Sequence, residues 1–397
     1  MGFASGSVSF RRYRITGGKT SAVDDKMLDA LNADAFGRYG QGLDETVEVG
    51  WITPDHLFDV NFAAEKIAVS RFAHFRMRLD RTSVPGSILR SYVQIEEQAA
   101  LDAAGRDYLT KEERRQAKEA AKARADKEAR SGAFRRIAAY PLVLDPENDM
   151  LYFGSTSNPA NEALGRLFAD TFDARLEPVN AHELAVRAAV IARRQRALED
   201  LKPDHLVSSP EDINADIYSM DATDRGFLGR EFLSWLLYHA DTGEGSFELS
   251  KDNELAVYVD KVVQLKCDFN LTGSTVVRGD GPGQTPETRS ALAVGKQPIK
   301  MGLMLGSNLG EWGLVLDGVT MDVSNVALPP AEEDEPQARL EERFENVIKL
   351  AGLIDGLFEK FVQGRLSAEW PRLLGRMKQW ASAGRVDLRS SRRRVSA

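Results

Sequence analysis

Residues 87–130 place the tightest constraint on the fold. The run has few helix breakers beyond Gly105, and Thr110-Lys111-Glu112-Glu113 has the spacing of a capping box. It therefore predicts a helix, a short break and a second helix. The second, Lys111–Arg130, is made of alanine and charge and has no large apolar residue. A helix without an apolar stripe has nothing to bury, so this one is expected to project into solvent.

Its charges are not scattered. At about 100° per residue, Lys111, Arg114, Arg115, Lys118 and Lys122 fall in one stripe about 100° wide, and Glu112, Glu113 and Glu119 lie off it. Like charges at i,i+3 and i,i+4 each cost a few tenths of a kcal/mol. A helix that accepts that repulsion suits a polyanion, although a merely solvated helix can carry the same charges. Arg124, Lys127, Arg130, Arg135 and Arg136 continue the positive excess toward the next strand. Duplex DNA rewards such a row, because each neutralised phosphate releases condensed counterions. No helix-turn-helix, zinc-finger or aromatic RNA-binding pattern accompanies it, so phosphate contact rather than base readout is expected. The net charge of −8 over 397 residues does not oppose this, since the two signs are segregated along the chain.

Around this arm the pattern predicts an α+β fold, with mixed β-sheets flanked by helices. Residues 7–15, Val47–Ile52, 67–79, 137–144 and 150–154 alternate as strands, and 23–35, 158–169 and 181–201 have helical spacing. Further on, 227–238 reads as a buried helix and 247–249, 255–269, 275–277, 299–305 and 313–316 as strands. A glycine-rich loop covers 279–284, an acidic proline-bearing linker 329–336, and amphipathic helices 339–361 and 370–380. The expected organisation is an N-terminal α/β unit (1–86), the basic helical arm (87–136), a second α/β unit (137–210), and a mostly β unit (211–328). A linker with C-terminal helices (329–384) and a disordered basic tail (385–397) complete it.

The order strand, helix, Gly50-Trp51, charged strand, Val84-Pro85 and long helix, with Gly105-Arg106-Asp107-Tyr108-Leu109-Thr110-Lys111-Glu112-Glu113, resembles the RdgC family of recombination-associated proteins. Ala133-Phe134-Arg135, Asp145 in a turn and Leu151-Tyr152-Phe153 continue the likeness over roughly residues 7–180. The second half, with Gly229-Arg230-Glu231-Phe232-Leu233-Ser234-Trp235-Leu236, is similar only to divergent members. The resemblance implies a ring-forming homodimer that encircles duplex DNA without sequence preference and limits access of the RecA recombinase. It implies a cytoplasmic, nucleoid-associated protein with neither enzymatic activity nor cofactor. The alanine-rich 120–130 stretch, glycine-rich loop, acidic linker and arginine-ending tail depart from that pattern.

Other chemistry finds little support in the residues. Ile15-Thr16-Gly17-Gly18-Lys19-Thr20 imitates the end of a phosphate-binding loop, but Tyr13 stands where the pattern needs glycine. The five histidines (His56, His74, His182, His205, His239) have no metal-ligand spacing. Asp260 and Lys266, read on adjacent strands, faintly suggest a nuclease, so a DNA exonuclease remains one alternative and a protein-interaction scaffold the other. Single Cys267 excludes an intrachain disulfide and fits a reducing compartment. No apolar stretch is long enough for a membrane span. Trp370, Leu373, Leu374, Met377 and Trp380 form an apolar face that suits either core packing or a subunit contact.

Overall fold

The computed structural model describes residues 2–18, 23–38, 46–207, 225–251, 253–267 and 273–383. Within them thirteen strands join in one sheet flanked by eleven α-helices, an α+β architecture. The organising strand is β1 (Val8–Thr16), which takes part in two wings. Along one side it pairs with β6 (Met150–Phe153), from Arg11 opposite Phe153 to Arg14 opposite Met150. Beyond β6 lie β5 (Arg135–Asp145), β4 (Phe72–Thr82) and β2 (Val47–Ile52). The start of β1 pairs with β13 (Val323–Ala327), Val8 facing Val326, and its end with β7 (Arg175–Pro178). From β13 the second wing runs through β12 (Gly310–Asp317), β11 (Lys296–Ser307), β9 (Asn253–Cys267) and β10 (Thr275–Gly279). Short β3 (Ala68–Val69) and β8 (Ser246–Ser250) attach to β4 and β9.

Every ladder among these strands is antiparallel, so the expectation of mixed sheets is corrected. The long insertion between β4 and β5 shows why. One crossover helix returns the chain to the start of the previous strand and gives a parallel neighbour. Here two helices, α3 (Gly86–Ala104) and α4 (Lys111–Arg130), go out and come back to the same end. The next strand must then run antiparallel, and it does from Ala73 opposite Leu144 to Thr82 opposite Arg135.

Alternation along the strands feeds two cores. On one face of the first wing Tyr13, Ile15, Phe75, Met77, Leu79, Leu142, Leu144 and Phe153 meet Trp51. Helix α1 (Asp25–Ala33) closes this core with Met27 and Leu31, and α5 (Asn158–Phe172) with Leu164, Leu167 and Phe168. The Trp51 indole N–H donates to Thr171 Oγ1 at 2.8 Å, so the buried ring keeps its hydrogen bond. The opposite face sends Phe10, Phe72, Val143 and Tyr152 into a larger core shared with the inner face of the second wing. That core is filled by α6 (Ala181–Ile191), α8 (Phe227–Thr242), α10 (Pro336–Arg365) and α11 (Trp370–Ser382). Helix α8 approaches the turn after β12 so closely that a Cβ on Gly229 would sit 1.7 Å from the Gly318 carbonyl oxygen.

Two further expectations change. The helix expected over 181–201 breaks into α6 and α7 (Gln195–Glu199), with Arg193 in the left-handed region at φ 54°. No breaker residue marks the spot. The break lets Arg194 donate to the Leu366 carbonyl at the end of α10, at 2.6 Å, a partner far away in sequence. The strand expected over 67–79 is split by a turn at Ser70 into β3 and β4. Strands β7 and β13 and helix α9 (Pro286–Ala293) carry no periodic signal that sequence reading caught.

Candidate nucleic-acid interface

The α3–α4 hairpin has the local construction its residues dictate. Gly105 ends α3 in the left-handed conformation at φ 62°, its N–H bonded to the Leu101 carbonyl at 3.0 Å. Thr110 Oγ1 accepts from the Glu113 N–H, and Glu113 Oε2 accepts from the Thr110 N–H at 2.8 Å, completing the capping box. Helix α4 does have an apolar stripe, contrary to expectation: Ala117, Ala121 and Ala125, four residues apart, are buried. Because alanine is small, two helices approach closely over such a stripe without any large side chain. On the facing helix Tyr92 donates to Glu128 Oε2 at 2.5 Å and lies under the Arg124 guanidinium, 4.4 Å from ring centroid to Cζ. No residue of α3 itself is fully buried, and Ile95 is half exposed.

The ten cations singled out in the sequence fall into distinct environments. Lys111, Arg114, Lys118 and Lys122 are exposed along α4, beside its buried alanine stripe, and none has a carboxylate partner among the described residues. Arg115, on the same stripe, is turned to Glu112 at 2.6 Å and Glu119 at 4.0 Å. Arg124 is held by Glu128 at 3.5 Å as well as by Tyr92. Arg135 is structural: it donates to Asp80 Oδ2 at 2.7 Å and pairs with Glu48, tying the first residue of β5 to β4 and β2. Asp80 is buried and also accepts from Nε and Nη2 of Arg78. Arg130 lines an open recess of about 410 Å³ with Glu48, Asp80 and Arg135 at the base of the hairpin. Lys127 and Arg136 are exposed with no carboxylate partner among the described residues, and Arg136 stands directly opposite Arg81 across the β4–β5 ladder.

The positive surface is therefore narrow. Helix α4 carries eight Lys and Arg against five Asp and Glu, and α3 carries Arg90 against Glu96, Glu97 and Asp102. Besides Lys127 and Arg136, what remains open is a row of four cations from Lys111 to Lys122, about 16 Å long at 1.5 Å per residue. Such a row can neutralise anions lying along it.

The other sequence candidates do not converge on a site. Asp260 and Lys266 lie on one strand, β9, and not on two, six residues or about 20 Å apart. The nearest cation to Asp260 is Lys261, at 3.8 Å. Gly17 closes β1 with φ 79°, while Lys19 and Thr20 lie outside the described residues. Gly279 ends β10, and Pro282–Gln284 of the glycine-rich loop form a single 3₁₀ turn. His74 is buried and His239 sits among Trp235, Tyr238 and Phe247. Trp370 and Met377 are buried in the larger core with Leu373, Leu374 and Trp380 against it, so the apolar face of α11 packs within the chain. Among the described residues no helix is long and apolar enough to cross a membrane.

Sequence reading missed one buried polar cluster. Arg365 donates to Glu231 at 2.6 Å and to Asp204 at 2.8 Å, and the Trp370 indole N–H donates to Asp204 at 2.8 Å. Burial pushes the Glu231 carboxyl up to about 7 while Arg365 pulls against it. Residues 134 positions apart leave no local pattern that would announce such a pair. The cluster fastens 204 to α8, α10 and α11 and has almost no free volume around it. No protein-family model matches the chain, and no curated protein does.

Proposed function

We propose that this protein binds duplex DNA without reading its sequence, laying the α3–α4 hairpin as a cationic arm along the phosphate backbone. The observation that carries this reading is the row Lys111, Arg114, Lys118 and Lys122, exposed and without a carboxylate partner among the described residues, on an otherwise acidic chain. Unpaired exposed cations cost like-charge repulsion that a polyanion relieves, and counterion release from the duplex supplies the gain. The resemblance to the RdgC family supplies the setting: a homodimer closing around DNA in the nucleoid, modulating homologous recombination by limiting access of RecA. Occlusion of this kind needs no catalytic group and no cofactor.

Four neutralised phosphates per chain correspond to a slope of about −3.6 in log K against log salt. Affinity should then fall about 10²-fold between 50 and 200 mM salt, and a dimer engaging both arms would double the slope. Fluorescence anisotropy with a labelled duplex tests this. Arg114→Glu/Lys118→Glu should weaken binding at least tenfold and flatten the slope by about 2. Arg115→Glu should do less, because that guanidinium already has carboxylate partners. An Arg114→Glu/Lys118→Glu protein that binds as tightly as the parent overturns the proposal. Magnesium-dependent loss of linear duplex in the same tubes would instead favour the exonuclease, and absence of binding at low salt the interaction scaffold.

A further inference from the structure

The second wing buries only one of its two faces. Val257, Leu305 and Trp312 point into the larger core. The residues that alternate with them, Ala256 and Tyr258 on β9, Met304 and Gly306 on β11, and Glu311 and Gly313 on β12, are exposed or half-buried. One row across four strands reads Ser246, Ala256, Gly306 and Glu311, each directly opposite the next. The two small residues in the middle of that row make a floor, and longer side chains stand around it. The result is an open groove of about 940 Å³ across β8, β9, β11 and β12.

Three carboxylates and one cation, Lys251, line this groove. Glu248 and Glu254 face each other across the β8–β9 ladder, and Glu311 lies on β12 at the far side. Glu254 accepts from the Ser246 hydroxyl, but none of the three carboxylates has a basic partner among the described residues. Like charges directly opposite in a ladder are destabilising, and a cation brought between them removes that cost. Tyr258, 65% exposed, stands beside them and offers its ring to a cation or to the apolar stem of a lysine. The groove therefore has the charge, the aromatic wall and the small-residue floor that a basic helix needs to lie close.

We infer that this groove receives helix α4 of a second copy of the chain. The two surfaces complement each other in charge: Lys111, Arg114, Lys118 and Lys122 lack carboxylates, and Glu248, Glu254 and Glu311 lack cations, among the described residues. They also match in length. The α4 row is about 16 Å long, and three strand spacings of about 4.8 Å give about 14 Å from β8 to β12. Within one chain α4 packs mainly on α3, and no residue of α4 lines the groove, so the occupant comes from another molecule. Arm and groove are different surfaces, which makes the contact head to tail. The same cations cannot hold a groove and a phosphate backbone at once, so self-docking covers the arm until duplex displaces the neighbour. As regulation of the arm this rests on the DNA reading; the contact between copies does not.

Sedimentation velocity without DNA, at 50 and 200 mM salt, tests the contact with three full-length proteins: the parent, Arg114→Glu/Lys118→Glu and Glu248→Lys/Glu254→Lys. The parent is expected to self-associate about tenfold or more tightly at the lower salt. Each double variant alone should lose this salt-sensitive step, because its arm or its groove now repels. Mixed in equal amounts the two variants should pair again, since each offers the charge that the other lacks. All four substituted side chains are exposed, and circular dichroism checks that folding is unchanged. A parent without salt-sensitive association, a groove variant that associates as the parent does, or a mixture that fails to pair overturns the inference and leaves the DNA reading to its own anisotropy test. Pairing of the mixture with no duplex binding by the parent keeps the contact and overturns the DNA reading. Duplex added to the parent at 50 mM salt should dissolve the associated species, and species that persist with duplex bound overturn the competition.

Discussion

His74 is almost fully buried in β4, its Nδ1 2.9 Å from the Leu142 carbonyl oxygen and its ring 5.3 Å from that of Phe344. A carbonyl accepts only, so Nδ1 carries the proton, and burial disfavours a second one. Loss of hydration therefore lowers the pKa to about 4, with the Arg76 charge acting in the same direction. Between its ordinary value near 6.5 and about 4 the unfolded chain binds a proton that the folded chain refuses. Stability present above pH 6.5 is thus lost as the pH falls through that window, by roughly 3 kcal/mol for a shift of this size. Urea unfolding at pH 7 and pH 4.5 should show this extra loss in the parent and much less of it in His74→Asn, which keeps a donor near Nδ1. Equal acid sensitivity in the two proteins would remove His74 as the cause. None of this was legible in the sequence, where His74 is one of several polar residues in a charged strand. Its burial depends on Phe344, which α10 brings from 270 residues away.

The hairpin of α3 and α4 is the element that sequence reading described best, because its determinants are local. The glycine cap, the capping box and the length of each helix all lie within a turn or two of the residues they govern. What the reading missed was the capacity of alanine to make a packing stripe, since a search for large apolar residues passes over Ala117, Ala121 and Ala125. The two helices pack mainly on each other, so their stability is expected to be separable from that of the sheet. Thr110→Ala should cost about 1 kcal/mol of local stability. Hydrogen exchange should speed up at the first-turn amides of α4 while the midpoint of global urea unfolding stays unchanged. An equal loss in the strand amides would show that the hairpin unfolds only with the rest.

For the molecule as a whole, β1 takes the central place. It is laddered to β6 in one wing and to β13 in the other, and its side chains clamp both sides. Arg11 meets Asp322 through two bonds of 2.7 Å, and the fully buried Arg12 reaches Asp355 on α10 at 2.8 Å. Arg71 on the first wing joins Glu345 of α10 at 3.0 Å, and Phe344 packs edge-on to Phe72. Neither wing can lose β1 without exposing part of the larger core, so the two should unfold together. Hydrogen exchange in β4–β5 and in β11–β12 is expected to report the same opening free energy, and heat unfolding to give a single calorimetric peak. Two resolved peaks would mean that the wings are independent.

By itself the sequence determined most of the helices and strands, the cap between α3 and α4, the core-facing alternation and the separation of positive from negative charge. These follow from interactions within a few residues, which any conformation of the chain contains. Tertiary structure alone decided that all strands run antiparallel, that β7 and β13 complete β1, and that α6 stops where Arg194 finds the end of α10. It also sorted the cations, pairing Arg135 with the buried Asp80 and with Glu48 in neighbouring strands and leaving Lys111, Arg114, Lys118 and Lys122 open. The physical reason is one of range: an ion pair spanning 55 residues, as between Asp80 and Arg135, exists only after the strands that carry its two ends have met.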